Sequence, residues 1–164
     1  MNTIINYIVK ELNTLTGRPV ILDAQHTNRP TRPYVGYSIG VLADERVNNK
    51  FFEVVASSSE DFTYDIEDRL ENQYKLTLSF NAYANTQAEA QDLIMEVRDW
   101  FIQFGVLGLQ QKKVAIVEVL AIEAREILEV DKYDRRRGFD VILRIGRETV
   151  QIIPTIERWE EKTS

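Results

Sequence analysis

The most unusual run of chemistry-bearing residues is the arginine tract, Arg135, Arg136 and Arg137, which Gly138 follows directly. Three adjacent guanidinium groups repel one another unless anions lie nearby, and the planar arginine fork binds carboxylates and phosphates in two-point contacts. We interpret the tract as a turn. Two interpretations stay open, a solvated turn in which Gly138 permits a positive φ, and a site that binds anionic groups.

Residues suited to catalysis are scarce in this chain. His26 is the only histidine and lies beside Thr27 and Asn28 in a loop, so a hydroxyl nucleophile elsewhere would lack an imidazole base. The glycine patterns of hydrolases and of phosphate-binding loops do not occur. A nuclease-like triplet, residues 160–162, lies in a polar tail. The sequence therefore predicts no catalytic residue, no cofactor site and no metal site.

Two further groups of side chains have both a structural and a functional interpretation. The acidic group, Asp65, Glu67 and Asp68, is expected either to face solvent or to pair with the cations of a partner protein. Aromatic residues at helical spacing normally form a core, and a ligand pocket is the alternative. This second group, which we interpret as core, consists of Trp100, Phe101 and Phe104.

The composition indicates a folded, acidic protein of ordinary domain size. Of its 164 residues 44% are apolar and 28% are charged, and the formal net charge is -6. A negative chain is poorly suited to duplex DNA, because lysine and arginine supply most of such affinity. The lack of cysteine excludes disulfides and fits assembly in a reducing cytoplasm. The first twelve residues lack the features of a signal peptide, so we expect a soluble, unsecreted protein.

The first third of the chain predicts a helix, a strand and a loop. Apolar residues recur at helical spacing from Thr3, and Gly17 with Pro19 supplies the stop signal. Residues 18–24 predict a short strand. The two prolines and the polar residues of 25–33 predict an extended loop.

Alternating patterns predict the next strands. After Pro33 the outer face of a half-buried strand is mostly small, which favours close packing against it. Residues 51–56 predict a second strand, and the stretch 59–72 is polar. The clearest strand is predicted at 74–83, with one face in the core and one in water. The inward residues of the strand after Pro33 are predicted to be Val35, Tyr37, Ile39 and Val41.

The strongest helix prediction follows at Thr86. Thr86 and Glu89 have the spacing of a capping box, in which each side chain reaches the backbone of the other. Gly105 and Gly108 are predicted to end the helix. The apolar stripe that predicts its buried side consists of Ala90, Leu93, Ile94, Val97, Phe101 and Phe104.

The last third of the chain is predicted to form strands. Residues 114–122 predict a well-buried strand, and 139–145 predict another, with a kink at Gly146 and a final extended piece closed by Pro154. The order of elements predicts an α+β fold with a single mainly antiparallel sheet covered by two helices.

The expected domain organisation is simple. We expect one domain over 1–158 and a polar C-terminal tail over 159–164. A resemblance to a known protein family is carried by three segments, RPTRPYVGYSI at 29–39, the strand and helix of 74–101, and YDRRRGFDVILRI at 133–145. Together they resemble the tail terminator, or neck, proteins of tailed bacteriophages, from about Asn2 to Glu157. The most specific feature is the sequence motif aromatic-x-R-R-x-G-aromatic-D-V.

The resemblance implies a structural virion protein at the neck, the head–tail junction, without enzyme activity. Such a subunit is expected to form a homo-hexameric ring that caps the tail tube, ends tail polymerisation and joins the tail to the head connector. The implied partners are the tail tube protein, the head–tail connector protein and, in contractile tails, the sheath protein, with assembly in the host cytoplasm. Genomic DNA would pass through the lumen without specific binding, since six copies at -6 carry -36.

A head-to-tail ring needs two different patches on each subunit. We expect the arginine tract to be one patch and the acidic group of the neighbouring subunit, Asp65, Glu67 and Asp68, to be the other. One alternative is another joining protein of the same neck, a connector or stopper. The other is a DNA-handling protein whose arginine tract binds phosphates.

Overall fold

The computed structural model describes residues 1–24, 28–44, 49–129 and 132–155. Within these ranges the helices are α1 (Asn2–Thr16), α2 (Gln87–Asp99) and α3 (Val106–Gln111), and a π-helical turn, Trp100–Phe104, joins α2 to α3. The strands are β1 (Val20–Leu22), β2 (Tyr34–Asp44), β3 (Asn49–Ala56), β4 (Tyr64–Tyr83), β5 (Val114–Val119), β6 (Glu123–Ala124), β7 (Ile127–Glu129), β8 (Lys132–Asp134) and β9 (Arg136–Pro154).

One mixed sheet of seven strands dominates the described part of the chain. Its main path runs β1, β2, β4, β9, β5, while β3 pairs with β4 and β6 pairs with β9. The β1–β2 pair is parallel, whereas β3–β4, β5–β9 and β6–β9 are antiparallel. β7 and β8 form a separate antiparallel pair. The predicted α+β fold with one mainly antiparallel sheet is confirmed, and α3 is added to the two predicted helices.

α1 ends where the sequence predicts. Its buried residues, Ile5, Ile8 and Leu12, recur every three or four positions and therefore share one side of the helix. Gly17 follows in the left-handed conformation, with φ 62°, and donates its N–H to the carbonyl oxygen of Asn13 at 2.9 Å. Glycine adopts this conformation without a Cβ clash, so the predicted stop is confirmed.

Thr86 caps α2 as predicted, whereas Glu89 reaches the backbone of Asn85 and not, as predicted, that of Thr86. Thr86 Oγ1 accepts the N–H of Glu89 at 3.2 Å, and Glu89 Oε2 accepts the N–H of Asn85 at 3.3 Å. These bonds satisfy amides that have no partner inside the helix. α2 ends at Asp99, and Gly108, which was expected to end it, lies inside α3. The predicted stripe of α2 is buried at Ala90, Leu93, Ile94 and Val97.

The prediction that Phe104 lies in the core is wrong. The chain widens into the π-helical turn, which holds more residues per turn than an α-helix and so rotates the side chains that follow. Trp100 and Phe101 are buried, whereas Phe104 is 62% exposed. Gly105 allows the turn to close on Trp100, because a Cβ at position 105 would lie 2.7 Å from the indole ring.

β4 and β9 are longer than the sequence predicted. β4 begins at Tyr64, inside the polar stretch 59–72, because this half of the strand pairs with all eight residues of β3. β9 begins at Arg136 and continues past Gly146 as one strand. Pairing with β3, more than local apolar alternation, therefore sets the length of β4.

Arg136 and Arg137 lie in a strand, so the prediction of a turn here is wrong. As neighbours in β9 their side chains leave opposite faces of the sheet. Gly138 does not have a positive φ. Glycine is needed there for space, because a Cβ would lie 2.3 Å from Asn81 Oδ1 and 2.6 Å from the carbonyl oxygen of Phe80.

β5 lies within the predicted strand 114–122, but the expectation that it is well buried is wrong. Val114 is buried, whereas Val117 is 41% exposed. Among the described strands β5 pairs with β9 alone and ends the path of the sheet. An edge strand has neighbours on one side only, which explains the exposure.

The described chain divides into two compact units. Unit 1 contains the described residues of 1–43 and 75–145, and unit 2 contains the described residues of 44–74 and 146–155. The main hydrophobic core lies in unit 1. At its centre the rings of Phe80, Phe101 and Phe139 lie 5.2 to 6.1 Å apart between centroids.

Unit 2 consists of β3 with the adjoining halves of β4 and β9 in its described residues. The expectation of a single domain over 1–158 stays a prediction. The expected tail over 159–164 lies outside the described residues.

Candidate functional site

The side chains that could hold a metal ion are dispersed in the described chain. Within residues 1–24, 28–44, 49–129 and 132–155 no three or more His, Cys, Asp or Glu side chains converge on a metal site. No helix in these ranges combines the length and the apolar character needed to cross a membrane. His26 and the triplet 160–162 lie outside the described residues.

The most extensive polar contacts surround Arg125 in unit 1. Its Nη1 donates to Ser79 Oγ at 2.6 Å and to Asn81 Oδ1 at 3.3 Å, and its Nη2 donates to Asp140 Oδ1 at 2.8 Å. Arg125 follows β6, and its backbone N–H donates to the carbonyl oxygen of Arg136 at 3.0 Å. One guanidinium group therefore joins side chains from β4 and β9.

Arg136 continues these contacts on the same sheet. Its Nη1 donates to Tyr83 Oη at 3.3 Å, and its Nε donates to the carbonyl oxygen of Arg125. Tyr83 Oη donates in turn to Asp23 Oδ1 at 3.2 Å, and Asn81 Nδ2 donates to Asp23 Oδ2 at 3.1 Å. We call this connected set the polar network; its members are Asp23, Ser79, Asn81, Tyr83, Arg125, Arg136 and Asp140.

The polar network shifts the pKa of two of its members. Burial raises the pKa of Tyr83 above its usual value, although the hydrogen bond from Arg136 opposes this. Burial would also raise the pKa of Asp140, but hydrogen bonds from Ser79 and Arg125 outweigh it, so the pKa of Asp140 is lowered. Asp140 is therefore held as a carboxylate and Tyr83 as a neutral phenol at neutral pH, which suits a structural network.

Backbone pairing brings Asp23 into the polar network. The N–H of Asp23 donates to the carbonyl oxygen of Tyr37 at 2.8 Å, which extends the parallel pairing of β1 and β2. Gly36 leaves the space that the Asp23 side chain occupies, because a Cβ at position 36 would lie 1.9 Å from Asp23 Oδ1. The predicted close packing against the small face of this strand is confirmed at Gly36.

The three residues of the arginine tract have different surroundings. Arg135 precedes β9 and is exposed. Arg136 belongs to the polar network, and Arg137 is partly buried with an Nε that has no hydrogen-bond partner. Arg135 is thus the exposed member of the tract, and its side chain forms no ion pair with another described residue.

The acidic group lies in unit 2 on β4. Asp65 is only 5% exposed. Glu67 Oε1 accepts from Arg69 Nη2 at 2.6 Å, and Asp68 Oδ2 lies 3.5 Å from Lys50 Nζ. The second oxygen of Asp68, Oδ1, is buried without a hydrogen-bond partner. Two of the three carboxylates therefore already have a cation within their own chain.

The sequence did not predict the polar network. Its members come from residues 23 to 140, and no local pattern joins them. One usable signal was Gly138, since a glycine inside an alternating strand indicates close approach of other atoms. The alternation of Ser79 and Asn81 on β4 placed both on the polar face but could not identify Arg125 as their donor.

Comparison with known proteins identifies the family of the chain. A family model described as phage neck terminator protein matches residues 4–163, nearly the whole chain. A search of curated proteins finds no match. The family match confirms the resemblance carried by the three sequence segments. The chain therefore belongs to the phage neck terminator protein family, whose members are structural proteins of the virion neck.

Proposed function

We propose that the protein forms a homo-hexameric ring that caps the tail tube, ends tail polymerisation and joins the tail to the head connector. The family match over residues 4–163 is the observation that carries this proposal. The tail tube protein, the connector protein and, in a contractile tail, the sheath protein are the partners that follow from it. Assembly takes place in the host cytoplasm, and no catalytic step is required.

A closed ring gives each subunit two different contact patches and leaves no free lateral surface. Exposed apolar side chains on unit 2 support such contacts. Phe52 and Val54 are 65% and 66% exposed and share one face of β3, since they are two positions apart. Solitary exposed apolar residues are ordinary, but neighbouring ones on one face are typical of a surface that a partner covers.

The contact that we propose for ring closure joins the arginine tract of one subunit to carboxylates of the next. The acidic group, Asp65, Glu67 and Asp68, supplies candidate carboxylates. Arg135 is the preferred residue of the tract because it is exposed, whereas reversal of Arg136 would also break its bonds to Tyr83 and to the Arg125 carbonyl oxygen.

Native mass spectrometry and negative-stain microscopy, with and without purified tail tubes, test the ring. We expect six-fold species in the unmodified protein and smaller species in Arg135→Glu, because the reversed charge repels the carboxylates of the neighbour. Lys10→Glu on α1 makes the same charge change at another exposed position and should leave the ring intact. Subunits that stay monomeric even with tubes would contradict the proposed function.

A further inference from the structure

One face of the β3–β4 hairpin in unit 2 is unusually acidic. In its register Phe51 lies opposite Arg69, Glu53 opposite Glu67, Val55 opposite Asp65 and Asn49 opposite Glu71. Because directly opposed residues of an antiparallel pair point to the same side, they share one surface. We call this surface the acidic face; it consists of Asn49, Phe51, Glu53, Val55, Asp65, Glu67, Arg69 and Glu71.

Charge on the acidic face is unbalanced within the chain. Glu53 and Glu67 are directly opposed, an arrangement that destabilises a strand pair through like-charge repulsion. The cation of this face, Arg69, is shared, since its Nη2 lies 2.6 Å from Glu67 Oε1 and its Nε lies 3.2 Å from Glu148 Oε1. Four carboxylates and one guanidinium group on the face leave a net negative charge that a further cation would offset.

The acidic face is also shaped to receive a side chain. Phe51, Glu53, Glu67, Arg69 and Glu71 line an open groove of about 270 Å³. Phe51 is 51% exposed beside these carboxylates. A guanidinium group can stack on an aromatic ring while it donates to carboxylates, which an ammonium group does less well.

The exposed cation that complements this groove is Arg135. It lies in unit 1 directly before β9, and no ion pair or hydrogen bond of its side chain is formed with another described residue. Its neighbours Arg136 and Arg137 are partly buried. In a head-to-tail contact, a patch on one copy meets a different patch on the next copy. A cation on unit 1 and carboxylates on unit 2 can therefore form such a contact between two copies.

We propose that the groove on the acidic face binds Arg135 of the adjacent copy, with Glu53 and Glu71 as acceptors and Phe51 as the stacking surface. This inference rests on the proposed ring and names its receiving surface. It shifts the contact from Asp65 and Asp68, which the chain already buries or pairs, to the glutamates of the hairpin.

A charge exchange tests the pairing. Arg135→Glu and Glu53→Arg should each raise the subunit concentration at half-assembly about fivefold to tenfold, and the double variant should return it close to the unmodified value. Sedimentation velocity over a concentration series measures this. As a matched control, Lys10→Glu combined with Glu53→Arg should show no recovery, since Lys10 lies on α1.

A second readout separates folding from assembly. Glu53→Arg places an opposite charge across from Glu67, so the thermal midpoint of the dilute monomer should not fall. Rings that form normally in both single variants, or single defects that the double variant does not relieve, would overturn the groove assignment and leave the ring standing. Failure of the unmodified protein to assemble on tubes would overturn the ring and the groove together.

Discussion

Arg125 shows how one side chain can stabilise two strands at once. Its Nη1 donates hydrogen bonds to Ser79 and Asn81 on β4, while its Nη2 donates to Asp140 on β9. The planar guanidinium group offers these donors in fixed directions, whereas the ammonium group of a lysine would present one charge centre without the fork. The chain thus contains arginines with two roles, internal ones such as Arg125 and the exposed Arg135.

Replacement of Asp140 by asparagine should destabilise the protein by about 1 kcal/mol at pH 7, because a charged hydrogen bond to Arg125 is lost at a partly exposed site. The pKa of Asp140 is lower in the folded chain than its unfolded value of about 3.9. Its stabilisation is therefore fully present above about pH 4 and is lost as the pH falls through the folded pKa. Urea unfolding at pH 7 and at pH 3 measures both effects.

Glu118→Gln is the control for this prediction. Glu118 is exposed on β5, so the same change of carboxylate to amide should alter the free energy of unfolding by less than about 0.5 kcal/mol. An Asp140→Asn defect of equal size at pH 7 and pH 3 would show that the carboxylate charge is not its cause.

The sequence predicted which single residues are unusual, but it did not predict the residues that they contact. It identified the arginine tract as unusual, yet it could not distinguish exposed Arg135 from Arg136 in the polar network. That distinction depends on Tyr83 and on a backbone carbonyl at Arg125, both distant in sequence. Hydrogen-bond partners of this kind are set by tertiary pairing and leave no local pattern.

At the scale of elements, the junction of α2 with the π-helical turn decides which aromatic rings enter the core. Phe101 is 1% exposed and Phe104, three positions later, is 62% exposed. In an uninterrupted α-helix residues three apart share a face. The wider turn places them on different faces, so the two phenylalanines allow a direct comparison of a buried and an exposed ring.

We expect Phe101→Ala to lower the free energy of unfolding by about 3–5 kcal/mol, because it leaves a cavity among Phe80, Trp100 and Phe139. Phe104→Ala should change it by less than about 0.5 kcal/mol. Denaturant unfolding of the isolated variants measures both. Equal losses would mean that Phe104 is packed in solution and that the helix continues without the wider turn.

The helices were easier to predict than the strands for a physical reason. Apolar spacing, the Thr86 cap and the Gly17 stop are local, so α1 and most of α2 could be found from neighbours in sequence. The first half of β4 is polar and becomes a strand through its pairing with β3. Strands whose two faces are partly solvated have no apolar alternation that would predict them.

For the whole molecule, the net charge of -6 predicts weak interaction with DNA despite the arginine tract. The unmodified protein should pass through a DNA-affinity column at about 0.15 M salt, where exposed charges separated by more than about 8 Å are screened. Column elution against salt concentration is the measurement. Salt-dependent retention that Arg135→Glu abolishes would favour the DNA-handling alternative over a lumen that DNA crosses freely.

For the whole molecule, the sequence predicted both the family and the fold class. Three separated segments carried the resemblance to the family, and the order of helices and strands predicted the α+β fold. The acidic face was not predicted. Its character depends on the opposition of Glu53 and Glu67, and register across a hairpin follows from the pairing of whole strands. The sequence supplied the acids, and the fold placed them on one side.

The π-helical turn also has a consequence for chain length. A turn closed from Gly105 N–H to the Trp100 carbonyl oxygen, at 2.7 Å, contains one residue more than an α-helical turn requires. We expect deletion of exposed Gln103 to remove that surplus, because the remaining turn would have the length of an α-helical one. The loss of a single codon at this turn should therefore cost less stability than the loss of one within α2.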